Sequence, residues 1–226
     1  MFLIIILFTF GISLWASWRV KRMVHKYSQM PASSGYTGAE TAAQILRAAG
    51  IGDVVIEEEN GFLGDHYDPI NKKLVLSTEN FHGTSTAALG ISAHECGHAL
   101  QHKAAYAPLQ WRMMAVGTTQ FANQIVMWLP ILGIFTGFIR PYTGVFIMAL
   151  AWGVIMLFNL ITLPVEFDAS RRAKIILGEM GFIRGEAEVK AVNKVLDAAA
   201  LTYVAAFLTS LAYFLWTMLR LVGDRR

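Results

Sequence analysis

The sequence predicts a mainly α-helical membrane protein that has about four transmembrane helices and a small α+β domain exposed to water. Of its 226 residues, 55% are hydrophobic and only 15% are charged, which is too apolar for an ordinary soluble domain. Four apolar stretches have the length of roughly 20 residues that a helix needs to cross a bilayer. They lie at about 1–18, 117–139, 143–164 and 199–222. The remaining residues are enough for one small water-exposed domain.

The first stretch, 1–18, is predicted to be a transmembrane anchor whose N-terminus lies outside the cell. Its basic residues follow the apolar run, at Arg19, Lys21, Arg22 and Lys26. A cleaved secretory signal, which is the alternative, would carry Lys or Arg before its apolar region. The position of the charges therefore favours an anchor that the mature protein retains.

Segment 19–116 is predicted to form the water-exposed part of the chain. Residues 37–49 show the three- and four-residue spacing of a short helix, which Gly50 would end. Residues 53–57 and 73–77 have the pattern of strands, and the Gly- and Asp-rich connection between them indicates a hairpin or a small sheet edge. A longer helix is predicted over 84–103, with Thr84 or Ser85 as its N-cap.

The second half of the chain is predicted to return to the membrane twice. The spans 117–139 and 143–164 are separated by a very short turn, so segment 117–164 should form a transmembrane helical hairpin. Segment 165–198 is polar and begins with a helical pattern that two glycines interrupt. A final helix should start near Glu186 and continue into the last span, so that 199–226 comprises a transmembrane helix and a tail.

The distribution of positive charge predicts that both polar segments face the cytoplasm. Segment 19–116 carries nine Lys and Arg residues and segment 165–198 carries six, whereas the turn between the second and third spans carries only Arg140. Positive residues accumulate on the cytoplasmic side of membrane proteins. The basic residues of the C-terminal tail oppose this orientation, because four spans would place that end outside. We therefore expect an integral protein of the inner or plasma membrane.

The most informative motif is the H-E-x-x-H pattern of His94, Glu95 and His98 within the predicted helix 84–103. Residues four apart share one face of a helix, so the two imidazoles can bind a single tetrahedral Zn²⁺ ion. Glu95 would lie beside this metal, where it can take a proton from a water molecule. A chance match on an amphipathic helix is the alternative. The lone Cys96 excludes an intramolecular disulfide and is expected to be a small packing residue.

A catalytic zinc ion needs a third protein ligand and one open position, and Glu166 is the candidate at the end of the third span. Asp168 would point largely away from the metal and is the weaker candidate. Small residues share the helical face of Glu166, at Ala169, Ser170 and Ala173. They would let this helix lie close to the histidine helix. Alternatively, Glu166 is an interfacial charge that caps a new helix after Pro164.

Four further residues are considered for supporting roles. His102 follows His98 by four residues and is expected beside the site or at the surface. His66 lies in a turn-like, Asp-rich run, where a surface turn is the first expectation and substrate binding is the alternative. Arg171 and Arg172 are either membrane-flanking charges or groups that orient Glu166 or bind an anionic substrate end.

These motifs resemble those of the YugP-type family of membrane-bound neutral zinc metallopeptidases. The matching runs are Gly64–Pro69, His94–His102 and Leu163–Ser170, and the likeness extends to Ala198–Ala206. The chain is more distantly similar to the HtpX-type and prenyl-protein membrane proteases, in which the third ligand is the Glu of an E-x-x-x-D pattern. The resemblance implies a zincin-like (gluzincin) catalytic domain in which Glu166 is the third ligand. Ser170 stands where the Asp of that pattern would be, so its orienting role is in doubt unless Asp168 replaces it.

Together, the motif and the resemblance predict a zinc-dependent endopeptidase whose active site faces the cytoplasm. Its expected partners are membrane lipids and a peptide or membrane-protein substrate, which could pair with the strand near 74–77. The alternative is a catalytically inactive zinc-binding scaffold or assembly factor, although such a protein has no use for Glu95. A small transporter is disfavoured because the ionisable residues fall at span ends. No basic run with interleaved aromatic residues suggests nucleic-acid binding, and no pattern predicts an oligomeric state.

Overall fold

The computed structural model describes residues 2–61, 64–137 and 140–223, without the side chains of residues 134–136. The predicted, mainly α-helical class is confirmed. In chain order the described elements are α1 (Phe2–Ser28), α2 (Gly38–Ala48), β1 (Val55–Glu59), β2 (His66–Asp68), β3 (Lys73–Ser77), α3 (Thr78–His82), α4 (Thr86–Lys103), α5 (Ala107–Thr136), α6 (Pro141–Glu179) and α7 (Gly185–Gly223).

Three of the described helices are long and apolar enough to cross a membrane, namely α1, α6 and α7. The helix that contains most of the predicted span 117–139 is α5, which is not among the three. The middle of this helix carries the amide side chains of Gln120, Asn123 and Gln124, which lower its hydropathy. Positions 138 and 139 of that span lie outside the described residues, as do Met1 of the predicted anchor and 224–226 of the predicted tail.

The helix α1 extends beyond the predicted anchor 1–18 and continues to Ser28. Its first half exposes large apolar side chains such as Leu3 and Ile4, which suits a helix surrounded by lipid. Its second half instead buries Val20 and Val24 in a cluster with residues of α4 and α7. The helix thus joins the membrane part of the molecule to the water-exposed part.

Two helices run without a break from the membrane segments into the polar segments. The alternative in which Glu166 caps a new helix after Pro164 is wrong, because α6 continues through this proline to Glu179. A proline inside a helix removes one backbone hydrogen bond, yet membrane helices tolerate this loss because neighbouring groups satisfy the freed carbonyl. The unbroken α7 agrees with the prediction of one helix that starts near Glu186.

The sheet has three strands in the order β1-β3-β2. Of the two predicted alternatives the hairpin is wrong, because β1 and β3 pair in parallel, whereas the small sheet edge is confirmed, because β1 is an edge strand of this sheet. The connection between β1 and β3 crosses over and contains β2, which pairs antiparallel with β3. Since β3 is the central strand and the Ser77 N–H is bonded to Asp65, the predicted pairing of a substrate with residues 74–77 is also wrong.

The helix α4 lies between the small sheet and the long helices. One face packs on α2 and the sheet, and the opposite face packs on α6 and α7. Ser85 caps its first turn through a hydrogen bond from the Ala88 N–H, one of the two predicted caps. The helix α2 is fixed by a capping box between Thr37 and Glu40 and ends before Gly50, whose φ is +64°, as predicted.

The closest contact between α4 and α6 occurs at Gly97. A Cβ atom added to Gly97 would lie 2.7 Å from the carbonyl oxygen of Ala169 and 3.0 Å from its Cα. Ala169 and Ala173 are completely buried on the facing side of α6. This confirms the prediction that small residues on the face of Glu166 let α6 lie close to the histidine helix.

A methyl group at Gly97 should therefore push the two helices apart. We expect Gly97→Ala to destabilise the fold by about 1–3 kcal/mol, the usual cost of overpacking. In a chain of this size each kcal/mol lowers the melting temperature by about 2–4 °C. Thermal unfolding of the purified protein in detergent measures the change.

Gly178→Ala is the matched control, because Gly178 is likewise a helical glycine, in α6, but an added Cβ there meets nothing within 4 Å. An alanine at an open helical position should be neutral or slightly stabilising. Equal melting temperatures for the two variants would contradict the close contact at Gly97.

Candidate metal centre

Helices α4 and α6 bring together the three predicted metal ligands. His94 and His98 project from consecutive turns of α4, and Glu166 faces them from α6. The Glu166 Oε2 atom lies 3.3 Å from His94 Nε2 and 3.6 Å from His98 Nε2. All three ligand atoms lie within 4.8 Å of one another, and Glu166 and His98 are buried. This cluster could hold one metal ion.

The geometry and chemistry of the cluster fit zinc. Ligand atoms around a tetrahedral ion with bonds of about 2.0–2.2 Å lie about 3.3–3.6 Å apart, which matches both distances to Glu166. The Oε2 atom of Glu166 is a buried acceptor that has no hydrogen-bond donor among the described residues, and such an atom requires a partner. Two imidazole nitrogens and one carboxylate oxygen are also the donor set of several catalytic zinc sites.

A hydrogen-bonded chain fixes the ring of His98. The Gln101 amide nitrogen donates to the Val165 carbonyl at 2.8 Å and to Asp168 Oδ2 at 3.0 Å. Its amide oxygen must therefore face His98 Nδ1, which lies 3.0 Å away and has to donate to it. The His98 Nε2 atom is left with a lone pair that points toward Glu166, as a metal ligand requires.

Two residues of α6 support the histidines in place of the E-x-x-x-D aspartate. The Ser170 hydroxyl lies 3.1 Å from His94 Nδ1. The serine that stands in place of the family's aspartate therefore contacts the candidate ligand His94 directly. Asp168 acts on His98 through Gln101. The side chains of Arg171 and Arg172 bind Asp168, so the structure places these two arginines on Asp168 rather than on Glu166.

Arg112 of α5 contacts Glu166, and sequence reasoning missed it. Its guanidinium donates to Glu166 Oε1 at 2.7 Å, which leaves Oε2 directed at the histidines. A single arginine at the start of an apolar helix has the same sequence pattern as an ordinary membrane-flanking charge. Only the return of α5 past α6 brings Arg112 to the site, and no local signal shows that return.

A cleft of roughly 320 Å³ opens beside the cluster. His94 and Glu95 of α4 line it, and the carboxylate of Glu95 is largely buried there. The opposite walls come from α1 and α7, which supply mainly apolar side chains and Tyr203. Tyr203, a second residue that the sequence did not single out, is thus a hydroxyl donor in the same cleft as Glu95.

The electrostatics of the cluster favour a bound cation. Burial lowers the pKa of the His98 imidazole, but the facing Glu166 carboxylate and the charge of Glu95 raise it more, so the pKa lies above its ordinary value. The pocket therefore stabilises positive charge, whether a proton or a metal ion carries it.

The other candidates lie apart from the three ligands. His102 accepts or donates a hydrogen bond at 2.9 Å with the Tyr67 hydroxyl, in a separate pocket beside Asp53. His66 is exposed on β2, where its Nδ1 lies 2.8 Å from the Gly64 carbonyl oxygen. Cys96 is completely buried and its thiol pKa is raised by that burial, which agrees with a packing role.

Comparisons with known proteins identify the family to which the chain is similar. The family described as "Putative neutral zinc metallopeptidase" matches residues 2–222. A relative from Bacillus subtilis (strain 168), "Putative membrane protease YugP", is 44% identical over 212 residues, which cover 93% of this chain and 92% of the relative. No solved structure matches the chain. The resemblance inferred from the motifs is confirmed.

The ion pair of Arg112 with Glu166 should tune the metal centre. We expect Arg112→Gln to weaken zinc binding about 10- to 100-fold, the usual effect of losing a group that orients a ligand. Arg112→Lys keeps the positive charge but lacks the planar guanidinium with its two parallel donors. Its zinc affinity should lie between those of the wild type and Arg112→Gln. Competition with a chelator of known affinity measures this, and Arg47→Gln, an exposed change on α2, is the control. Wild-type affinity in Arg112→Gln would show that Glu166 needs no such partner.

Proposed function

The chain belongs to the neutral zinc metallopeptidase family, and from this membership we propose that it is a membrane-integral endopeptidase of the gluzincin type. The observation that carries the proposal is the meeting of His94, His98 and Glu166 at the edge of the cleft that Glu95 lines. A purely structural zinc site is closed by four protein ligands. Three ligands beside an open cleft leave room for water and substrate.

A zinc ion bound by these residues would supply Lewis acidity, which acidifies water and polarises the scissile carbonyl. The residues of the chain then do the rest. Glu95 accepts the proton of the attacking water and donates it to the leaving amine, the role of a general acid and base. Gln101 holds the His98 ring in the tautomer that leaves Nε2 free, and Arg112 holds Glu166 with one oxygen toward the histidines.

We propose further that the site faces the cytoplasm. The two polar segments that contain His94 and Glu166 must lie on one side of the membrane, since these residues meet. The excess of Lys and Arg in both segments supports the cytoplasmic side. Cation–π contacts hold Arg19 over Trp15 and Arg22 over Trp18 at the end of the apolar part of α1, where aromatic and basic residues mark a membrane interface.

The proposed role of Glu95 predicts a separation of metal binding from catalysis. Glu95→Gln should keep one zinc ion per chain and its melting temperature but should cleave casein about 10²–10⁴-fold more slowly, because it lacks only the base. His94→Ala and Glu166→Ala should lose zinc and activity together, because each removes a ligand. Elemental analysis, thermal unfolding and a casein assay on the purified proteins measure all three properties.

Three outcomes would count against this scheme. Full zinc retention in both His94→Ala and Glu166→Ala would refute the ligand assignment. Wild-type cleavage rates in Glu95→Gln would refute the base. Zinc-loaded wild-type protein that cleaves nothing across many substrates would favour the scaffold instead.

The proposed orientation predicts a labelling pattern in intact cells. The native Cys96 is buried, so the thiol reagent should label only the cysteines that are introduced at exposed positions. We expect a membrane-impermeant thiol reagent to label Arg140→Cys, in the turn before α6, but not Thr84→Cys or Glu186→Cys. Labelling of the latter two in lysed cells is the accessibility control, and their labelling in intact cells would refute the cytoplasmic assignment.

A further inference from the structure

The second half of α1 forms one wall of the cleft beside the candidate metal centre. Four of its residues line the cleft, at Ser17, Val20, Lys21 and Val24. These positions follow the i, i+3, i+4, i+7 pattern, so they form a single stripe along one face of the helix. The part of α1 that extends beyond the predicted anchor 1–18 therefore provides most of this wall, which a substrate would contact.

This wall is held firmly against the catalytic helix. The chain leaving α1 is hydrogen-bonded to the start of α4, through the Thr86 N–H to the Met30 carbonyl at 2.9 Å and the Ala32 N–H to the Thr84 carbonyl at 2.9 Å. Val20 and Val24 pack in one cluster with Val195 of α7. The stripe on α1 thus keeps a fixed position relative to His94 and Glu95.

The lining of the cleft is mostly apolar, with a single cation. Val20 and Val24 face Ile91 of α4 and side chains of α7, including Leu196 and Ala199. Such a surface stabilises an apolar side chain by removing it from water. Lys21 is the one Lys or Arg among the lining residues, and it is exposed and forms no ion pair with any described carboxylate.

Neither acidic residue that lines the cleft, Asp65 or Glu95, forms an ion pair with Lys21 in the part of the chain that the structure describes. Asp65 accepts hydrogen bonds from the Ser77 N–H and hydroxyl and from the Asn80 amide, and these donors offset its charge. Glu95 is the proposed base. A negatively charged group on the substrate would be the natural partner of Lys21.

We propose, on the basis of the peptidase function above, that the α1 stripe selects substrates with an apolar side chain and an acidic side chain two residues apart. Neighbouring positions of the stripe have Cβ atoms about 5–6 Å apart. Alternate residues of an extended peptide point to the same side and lie about 6.6 Å apart. The spacing of one such pair is therefore close to the distance from Lys21 to the apolar lining of the cleft beside it.

The first test is cleavage-site profiling of the full-length, zinc-loaded protein with a library of peptides, read by mass spectrometry. Wild-type sites should favour an apolar residue followed or preceded by Asp or Glu two positions away. Lys21→Gln should reduce the preference for Asp over Asn about two- to fivefold, the effect of one partly exposed ion pair. Lys21→Glu should reverse it in favour of Lys and Arg.

Arg22→Glu is the matched control, because it makes the same charge reversal at the next residue. Arg22 lies over the Trp18 ring and does not line the cleft, so the profile should not change. An unchanged Asp preference in Lys21→Glu, or an equal change in Arg22→Glu, would overturn the proposal. Lys21→Gln provides the comparison should the glutamate variant fail to fold.

A binding measurement separates this proposal from the peptidase function itself. Fluorescence anisotropy on Glu95→Gln protein, with labelled peptides that differ only in Asp or Asn, requires no turnover. Tighter binding of the Asp peptide that Lys21→Gln removes supports the proposal. Cleavage that does not depend on Lys21 refutes the proposed substrate selection by α1 and leaves the peptidase function standing. Lys21-dependent binding in a wild-type protein that cleaves nothing refutes the peptidase and leaves acidic-peptide recognition.

Discussion

The contact between Gly97 of α4 and Ala169 of α6 is the constraint on which the candidate site depends. Helices with ordinary side chains at their contact pack 8–10 Å apart, whereas the absence of a side chain at Gly97 lets the two backbones meet. One residue beyond Gly97 lies His98, and three residues before Ala169 lies Glu166. The small residues at the contact thus determine that a ligand from each helix can reach the same ion.

The polar groups of the site show how a largely apolar protein buries charge. A buried carboxylate costs several kcal/mol unless hydrogen bonds and opposite charges compensate it. Asp168 is compensated by two arginines and by Gln101, and Glu166 by Arg112 at one oxygen. The other oxygen of Glu166, Oε2, has no hydrogen-bond donor among the described residues. This uncompensated acceptor lies at the place where a cation would bind.

Local signals in the sequence predicted the parts of the fold that depend on neighbouring residues. The spacing of His94 and His98, the cap of α4 and the left-handed Gly50 all follow from a few adjacent positions. The parallel pairing of β1 with β3 and the continuation of α6 through Pro164 depend on packing between distant segments. For the same reason Arg112 could not be found, and Glu166 was assigned only through the family resemblance.

The unbroken α6 has a mechanical consequence for the molecule. A helix of 39 residues is about 58 Å long, at 1.5 Å per residue. Residue 153 lies near the middle of the predicted span 143–164, and Glu166 lies roughly 20 Å beyond it along the helix axis. If the helix tilts by a few degrees about residue 153, Glu166 is displaced by about an ångström or more. Because α4 is locked to α6 at Gly97, the histidines move with it. A tilt of α6 would therefore move the three candidate ligands together and leave their spacing unchanged.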